Sequence, residues 1–142
     1  MTKEVELIIK GSQKYDTYED NDLETRTVAE YYYRNHCHYV LYEELAEGFN
    51  QTTKSMLKLR EGCLEMTRKG VVNTTMVFEK GKETMTHYKT PFGEVLLGIQ
   101  TKTLEMSEAE DLICADITYA LNADGMPMAD CGIKIQICSA GK

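Results

Sequence analysis

The chain has 142 residues, the size of one domain with its own hydrophobic core and too few for two. Hydrophobic residues make up 42% and charged residues 27%, a composition that excludes a disordered polymer and predicts a protein without membrane spans. The net charge of −7, with scattered basic residues, argues against nucleic acid as a partner, because its phosphates would be repelled.

Ten short runs rich in Val, Ile, Thr and Tyr follow one another along the chain, each ended by turn residues. The runs lie near residues 3–15, 23–34, 37–45, 51–60, 62–69, 71–80, 83–90, 93–106, 110–121 and 130–139. Such spacing with short turns predicts an all-β fold, an antiparallel meander of eight to ten strands that closes into a barrel. No linker or repeat divides the chain, so residues 1–142 are expected to form a single domain.

The connections between these runs differ in length. Longer loops are expected at 16–22 and 122–129. Residues 107–110 match the spacing of a helical capping box, but an acidic hairpin loop is the favoured interpretation.

Alternation along the strands predicts which side chains face the barrel interior. On the first and last strands the charged residues occupy alternate positions and therefore face solvent. The apolar residues at the positions between them are then expected to face the barrel interior. One half of the predicted interior is therefore dry. Its members are Val5, Leu7, Ile9, Val95, Leu97, Ile99, Ile113, Ala115, Ile117, Tyr119, Leu121, Cys131, Ile133, Ile135 and Ile137.

The other half of the predicted interior carries polar side chains. The same parity argument turns inward Thr25, Thr27, Ala29, Tyr31, Tyr33, Thr53, Ser55, Leu57, Leu59, Thr84, Thr86, Tyr88, Thr90 and, among the basic residues, Arg68. Buried hydroxyl and guanidinium groups need partners. Two interpretations stay open: a polar cavity that holds a ligand, or a filled interior in which Arg68 pairs with Glu43 or Glu44.

The sequence carries no positive signal for catalysis or for a metal. His36 and His38 have the spacing of two ligands on one strand face, and His87 could join them, but their place beside the Arg34-Asn35 turn favours two histidines on the surface. No nucleophile–base motif is present. We therefore expect no cofactor and no metal. Binding is favoured over catalysis, and an enzymatic interpretation, based on Arg68 with Glu43 or Glu44 and the histidines, stays open.

The cysteines bear on the compartment. The chain has an odd number of cysteines, and none of them forms a Cys-x-x-Cys pair. They are Cys37, Cys63, Cys114, Cys131 and Cys138. No basic-then-apolar leader opens the sequence. These observations predict free thiols in the cytoplasm.

Several segments in order resemble the bacterial YwiB-like proteins, a domain-of-unknown-function family. The segments are Tyr31-Tyr32-Tyr33, residues 39–44, 52–54 and 66–70, Tyr88-Lys89-Thr90-Pro91-Phe92-Gly93, Thr101 and residues 117–121. The resemblance covers nearly the whole chain and implies a calycin-like, or lipocalin-like, β-barrel in a small bacterial cytoplasmic protein. It transfers no activity and no catalytic residue.

Two functions follow as hypotheses. The first is a non-enzymatic barrel that binds a small polar or anionic molecule through Arg68, Tyr88, Thr90, Tyr31, Tyr33 and Thr53, with Glu43 and Glu44 beside them. The second is a filled barrel that acts as an interaction module or homodimer. Its motivation is an outward apolar set, Ile8, Val28, Tyr32 and Met56.

Overall fold

A computed structural model of the chain describes residues 1–14, 21–46, 51–70, 73–91 and 93–140, except for the side chains of a few strand residues, Thr90 among them. The described residues form ten strands and no helix. They therefore contain no helix that is long and apolar enough to span a membrane. The strands are β1 (Glu4–Lys14), β2 (Asn21–Arg34), β3 (Cys37–Ala46), β4 (Gln51–Arg60), β5 (Cys63–Lys69), β6 (Thr74–Glu79), β7 (Glu83–Thr90), β8 (Gly93–Ala109), β9 (Leu112–Ala123) and β10 (Met126–Ser139).

All ten strands belong to one antiparallel sheet with the order β6-β5-β4-β3-β2-β1-β10-β9-β8-β7. Its two edge strands meet each other. Asn73 and Lys89 exchange two backbone hydrogen bonds of 2.9 and 3.1 Å, and the Thr84 hydroxyl donates to the Val77 carbonyl at 2.7 Å. The sheet therefore curls into a nearly closed barrel, and the predicted all-β meander is confirmed.

Tight turns join most strands. Asn35 and His36 have φ values of 52° and 63°, and Asp124 and Gly125 have 49° and 83°, which are the paired positive angles of type I′ hairpins. The long loop expected at 122–129 is wrong, because this two-residue turn connects β9 directly to β10. Residues 107–110 form no helix, in agreement with the favoured interpretation, but the predicted loop is too long, since β8 continues to Ala109 and the hairpin turn consists of residues 110 and 111.

The dry half of the interior lies where the alternation predicts it. The inward side chains of β9 and β10 are buried, as are Val5 and Leu7 on β1, whereas Ile9 is only partly buried. Val5, Leu7, Ile117 and Ile137 have no exposed surface. Each such side chain contributes roughly 1.5–3 kcal/mol by leaving water. These residues hold the barrel closed behind the polar wall described below.

A β-bulge in β8 changes the face of every later residue on that strand. The register with β9 shifts between Thr101 and Thr103, and Thr101 and Leu104 are both buried, although alternation alone would give them opposite faces. After the bulge the even-numbered residues point inward. Because the faces are reversed after the bulge, the carboxylate of Glu108 lies at the barrel mouth.

Candidate functional site

A row of polar side chains crosses the inner wall formed by β3, β4, β5 and β6. Tyr42 lies opposite Ser55, Ser55 opposite Arg68, and Arg68 opposite Thr74. The preceding row is apolar and consists of Val40, Leu57, Met66 and Met76. We call the row of Tyr42, Ser55, Arg68 and Thr74 the Arg68 row.

Arg68 is held loosely by one carboxylate. Its Nε lies 3.8 Å from Glu44 Oε2, and the two side chains are 31% and 29% exposed. A bidentate guanidinium–carboxylate pair has N–O distances of about 2.7–2.9 Å, so this contact leaves donors of Arg68 available. Glu44 in turn lies opposite the buried Thr53 on β4.

Two hydroxyl groups of the Arg68 row are buried without a hydrogen-bond partner. Among the described residues, Ser55 Oγ and Thr74 Oγ1 have none, and the two residues are only 4% and 7% exposed. A buried polar group without a partner costs about 1–3 kcal/mol. Both hydroxyls flank Arg68, so the unused donors and acceptors of this wall are concentrated at one place.

Tyr42 completes the row as a neutral phenol. Burial raises its pKa to about 12, and the charge of Glu44 adds to the effect. Arg68 and the nearby Ser55 hydroxyl, which approaches the phenol without completing a hydrogen bond of normal geometry, oppose it. At neutral pH the hydroxyl therefore keeps its proton and can donate a hydrogen bond.

A cleft in the barrel wall borders one end of this row. The strands β2 and β3 pair with each other only from Glu30 and Leu41 up to the hairpin turn. Farther from the turn, β2 pairs only with β1, and β3 only with β4. Between the separated strands lies a cleft of about 660 Å³, to which both Tyr42 and Ser55 contribute surface. This volume is within the range of small-molecule sites.

The opposite end of the same wall carries a different polar group, centred on His38. His38 Nδ1 lies 2.7 Å from the Tyr31 hydroxyl, and its Nε2 lies 2.7 Å from Glu108 Oε1. Because a carboxylate accepts, Nε2 donates to Glu108, and Nδ1 pairs with the Tyr31 hydroxyl. Burial, followed by the charges of Glu108 and Tyr33, raises the pKa of Tyr31. The Tyr31 hydroxyl and both ring nitrogens of His38 therefore have partners.

The expectation that His38 lies on the surface is wrong. The residue is only 8% exposed, because it shares the inward parity of Val40 and Tyr42. His36 is exposed, as expected, and His87 binds Glu94 on the outside at 2.5 Å instead of joining the other two. Within the described ranges, no three His, Cys, Asp or Glu side chains are arranged to hold a metal ion.

The structure divides the predicted ligand-binding residues between the two ends. Arg68, Thr53 and Glu44 lie at the Arg68 end, and the partly buried Tyr88 lies on β7 next to Lys89, which bridges to Asn73. Tyr31 and Tyr33 lie at the His38 end, one partly buried and the other 56% exposed. Glu43 faces solvent, so of the two proposed acidic partners only Glu44 reaches Arg68. The side chain of Thr90 is outside the described residues.

Sequence analysis missed Tyr42, Thr74 and Glu108, and it assigned His38 to the surface instead of the interior. The parity of β3 contained the signal for Tyr42 and His38, since both alternate with outward-facing Glu43 and Tyr39. Thr74 required the β5–β6 register, and Glu108 required the bulge in β8.

Comparison with known proteins places the chain in a family. The model of the family described as "Domain of unknown function (DUF1934)" matches residues 7–135. The chain belongs to this family. It is 30% identical over 100 residues to the "Uncharacterized beta-barrel protein YwiB" of Bacillus subtilis (strain 168), which covers 70% of this chain and 69% of that protein.

A solved structure supports the same architecture. The barrel is similar to the crystal structure of the ywiB protein from Bacillus subtilis, with a TM-score of 0.85, 24% identity, and coverage of 98% of this chain and 93% of the other. At this identity the likeness shows the fold alone. The predicted membership in the YwiB-like family is confirmed.

Proposed function

We propose that this protein is a non-enzymatic binding barrel whose ligand is a small polar molecule with an anionic group, bound against the Arg68 row. The observation that carries the proposal is the pair of buried hydroxyls without partners, Ser55 and Thr74, on either side of a guanidinium with available donors. We class the barrel with the calycins, because small barrels of that type hold one small ligand.

Each member of the row has a role in this proposal. Arg68 binds a carboxylate or phosphate, for which its planar fork is better suited than an ammonium group. The Ser55 and Thr74 hydroxyls and the neutral Tyr42 phenol satisfy further oxygen atoms of the ligand. The cleft between β2 and β3 provides the entry, since it already reaches Tyr42 and Ser55.

Binding without catalysis fits the chemistry of the wall. The one carboxylate–histidine–hydroxyl chain found in the described part of the protein ends in Tyr31, whose raised pKa keeps the phenol protonated. A protonated phenol is a poor nucleophile. All five cysteines are free, which supports our inference of a reducing, cytoplasmic location.

The test compares native with denaturing mass spectra of protein purified gently from bacterial cells. We expect extra mass in the native spectrum alone, and its loss in Arg68→Ala. Arg26→Ala is the matched control, because Arg26 is exposed and pairs with Glu24 on the outer face. A native spectrum of the wild-type protein with no extra mass would contradict the proposal.

A homodimer is the second candidate function, and the outer face of β2 favours it. Val28 is 61% and Tyr32 43% exposed, and the Tyr32 ring stacks on Tyr39 with centroids 4.7 Å apart. Ile8 does not contribute to this patch, because it is only 8% exposed. Light scattering at micromolar concentration tests the dimer: a dimer mass that Val28→Glu reduces to a monomer supports it, and a monomer mass for the wild-type protein rules it out.

A further inference from the structure

A second cleft, of about 430 Å³, lies at the His38 end between the β2–β3 turn and the β4–β5 turn. Its floor is His38, which is fixed by Tyr31 and Glu108. Its rim contains Asn35 and His36 from one turn and Arg60 and Glu61 from the other. This cleft is separate from the Arg68 row, because His38 and Tyr42 are about 13 Å apart along β3 at ~3.3 Å per residue.

His36 occupies a backbone position where glycine is the preferred residue. It is the second central residue of a type I′ turn, with a φ of 63° and an exposed side chain. Histidine tolerates this region better than most residues, but Asn-Gly is the preferred sequence for such a turn. A strained residue that faces a cleft calls for a functional explanation.

The basic groups on the rim are available. Within the described part of the chain, the side chains of His36 and Arg60 make no hydrogen bond or ion pair. Of the two carboxylates that face the cleft, Glu108 is bound to His38, and Glu61 stands next to Arg60 in the chain. Arg60 and His36 are therefore two donors above a fixed floor that have no hydrogen-bond partner among the described residues.

We propose that this cleft is a second binding site, specific for a small oxyanion, in which Arg60 and His36 bind a phosphate or carboxylate group. Arg60 contributes a permanent charge, and the His36 ring contributes an N–H donor. The charges that face His36 are Arg60 and Glu61 from the β4–β5 turn and Glu108 from β8, with His38 beneath. Glu61 opposes the anion and limits its affinity.

The test is a titration of the full chain with inorganic phosphate and, separately, with acetate, followed by NMR shifts of the Asn35, His36 and Gly62 amides at pH 6. Saturable shifts with phosphate alone identify a phosphate site, and shifts with acetate as well identify a general oxyanion site. We expect Arg60→Gln to weaken binding about fivefold and Glu61→Gln to strengthen it about twofold. Lys134→Gln, an equal change of charge on another face, should stay within about twofold.

The variant His36→Gly distinguishes a role of His36 in anion binding from a role in stabilising the fold. Because glycine adopts positive φ without strain, we expect the melting temperature to rise by about 3 °C while phosphate binding weakens severalfold. The proposal is overturned if neither anion produces saturable shifts, if Glu61→Gln weakens binding as Arg60→Gln does, or if His36→Gly binds as tightly as the wild-type protein.

Discussion

The buried polar groups at the two ends of the β3–β6 wall differ in whether they have hydrogen-bond partners. At the His38 end the interior groups satisfy one another, and the available groups, His36 and Arg60, stand on the rim. At the Arg68 end two hydroxyls are buried without partners in the interior. A satisfied polar group stabilises the fold, whereas an unsatisfied one is a cost that a ligand can remove. The interior of the His38 end therefore stabilises the fold, whereas the interior of the Arg68 end holds the unsatisfied groups on which the binding proposal rests.

The largest effect should come from breaking the satisfied end. His38→Ala removes a buried ring and leaves the Tyr31 hydroxyl without its partner, so we expect the free energy of unfolding to fall by about 3 kcal/mol. Urea unfolding at pH 7 measures this. The matched control is His87→Ala, whose exposed side chain should contribute less than about 0.5 kcal/mol. Equal losses in the two variants would show that the chain of Tyr31, His38 and Glu108 adds nothing to stability.

The next effect concerns Tyr42 and alkaline pH. Its phenol has a pKa near 10.0 in the unfolded chain and of about 12 in the folded protein. Between these values the unfolded chain loses a proton that the folded protein keeps, so the free energy of unfolding falls as pH rises. The slope is up to about 1.4 kcal/mol per pH unit, and it is absent below pH 9. Urea unfolding of the wild-type protein and Tyr42→Phe from pH 8 to 11.5 should give a shallower slope for the variant. Identical slopes would mean that Tyr42 is not buried as described.

A third effect tests the close approach of the chain beside the Arg68 row. Gly70 has a φ of 152°, and a Cβ there would lie 2.7 Å from the Thr52 carbonyl oxygen and 2.8 Å from Thr53 Cα. We expect Gly70→Ala to cost about 2 kcal/mol in thermal unfolding. Gly11→Ala is the control, because a Cβ at that position meets nothing within 4 Å and should change the stability by less than about 0.5 kcal/mol.

The smallest effect is the most informative about the unsatisfied end. Ser55→Ala removes a hydroxyl that has no partner, so the stability of the free protein should stay within about 0.5 kcal/mol or rise slightly. Thr84→Val removes a hydroxyl that donates to Val77, and should cost about 1 kcal/mol. A loss above about 1 kcal/mol for Ser55→Ala in urea unfolding would show that its hydroxyl already has a partner.

The barrel was predictable from sequence because its signals are local. Charged residues of one parity mark the outer face of β1 and β10, and turn residues such as Arg34-Asn35 mark the strand ends. The inward position of Arg68 followed from the same alternation. Local patterns therefore predict the face of the sheet on which each side chain lies, and no more than that.

The grouping of side chains into two ends depends on information that is not local. Which inward residues become neighbours depends on strand register, and the register placed Tyr31 and Tyr33 with His38 instead of Arg68. Glu108 reaches His38 only because a bulge reverses the faces of β8, and no residue type in that strand marks the bulge. The separation of β2 from β3, which opens the cleft, likewise has no signature in either strand.

The most direct test of the binding proposal is a high-resolution crystal structure of the gently purified protein. We expect electron density for a small molecule within hydrogen-bond distance of Arg68 and of the Ser55 or Thr74 hydroxyl. The contradicting result is a row closed on itself, in which Arg68 and Glu44 form a bidentate pair and both hydroxyls bond to the protein or to water. Such a structure would leave a filled barrel that acts through its outer surface.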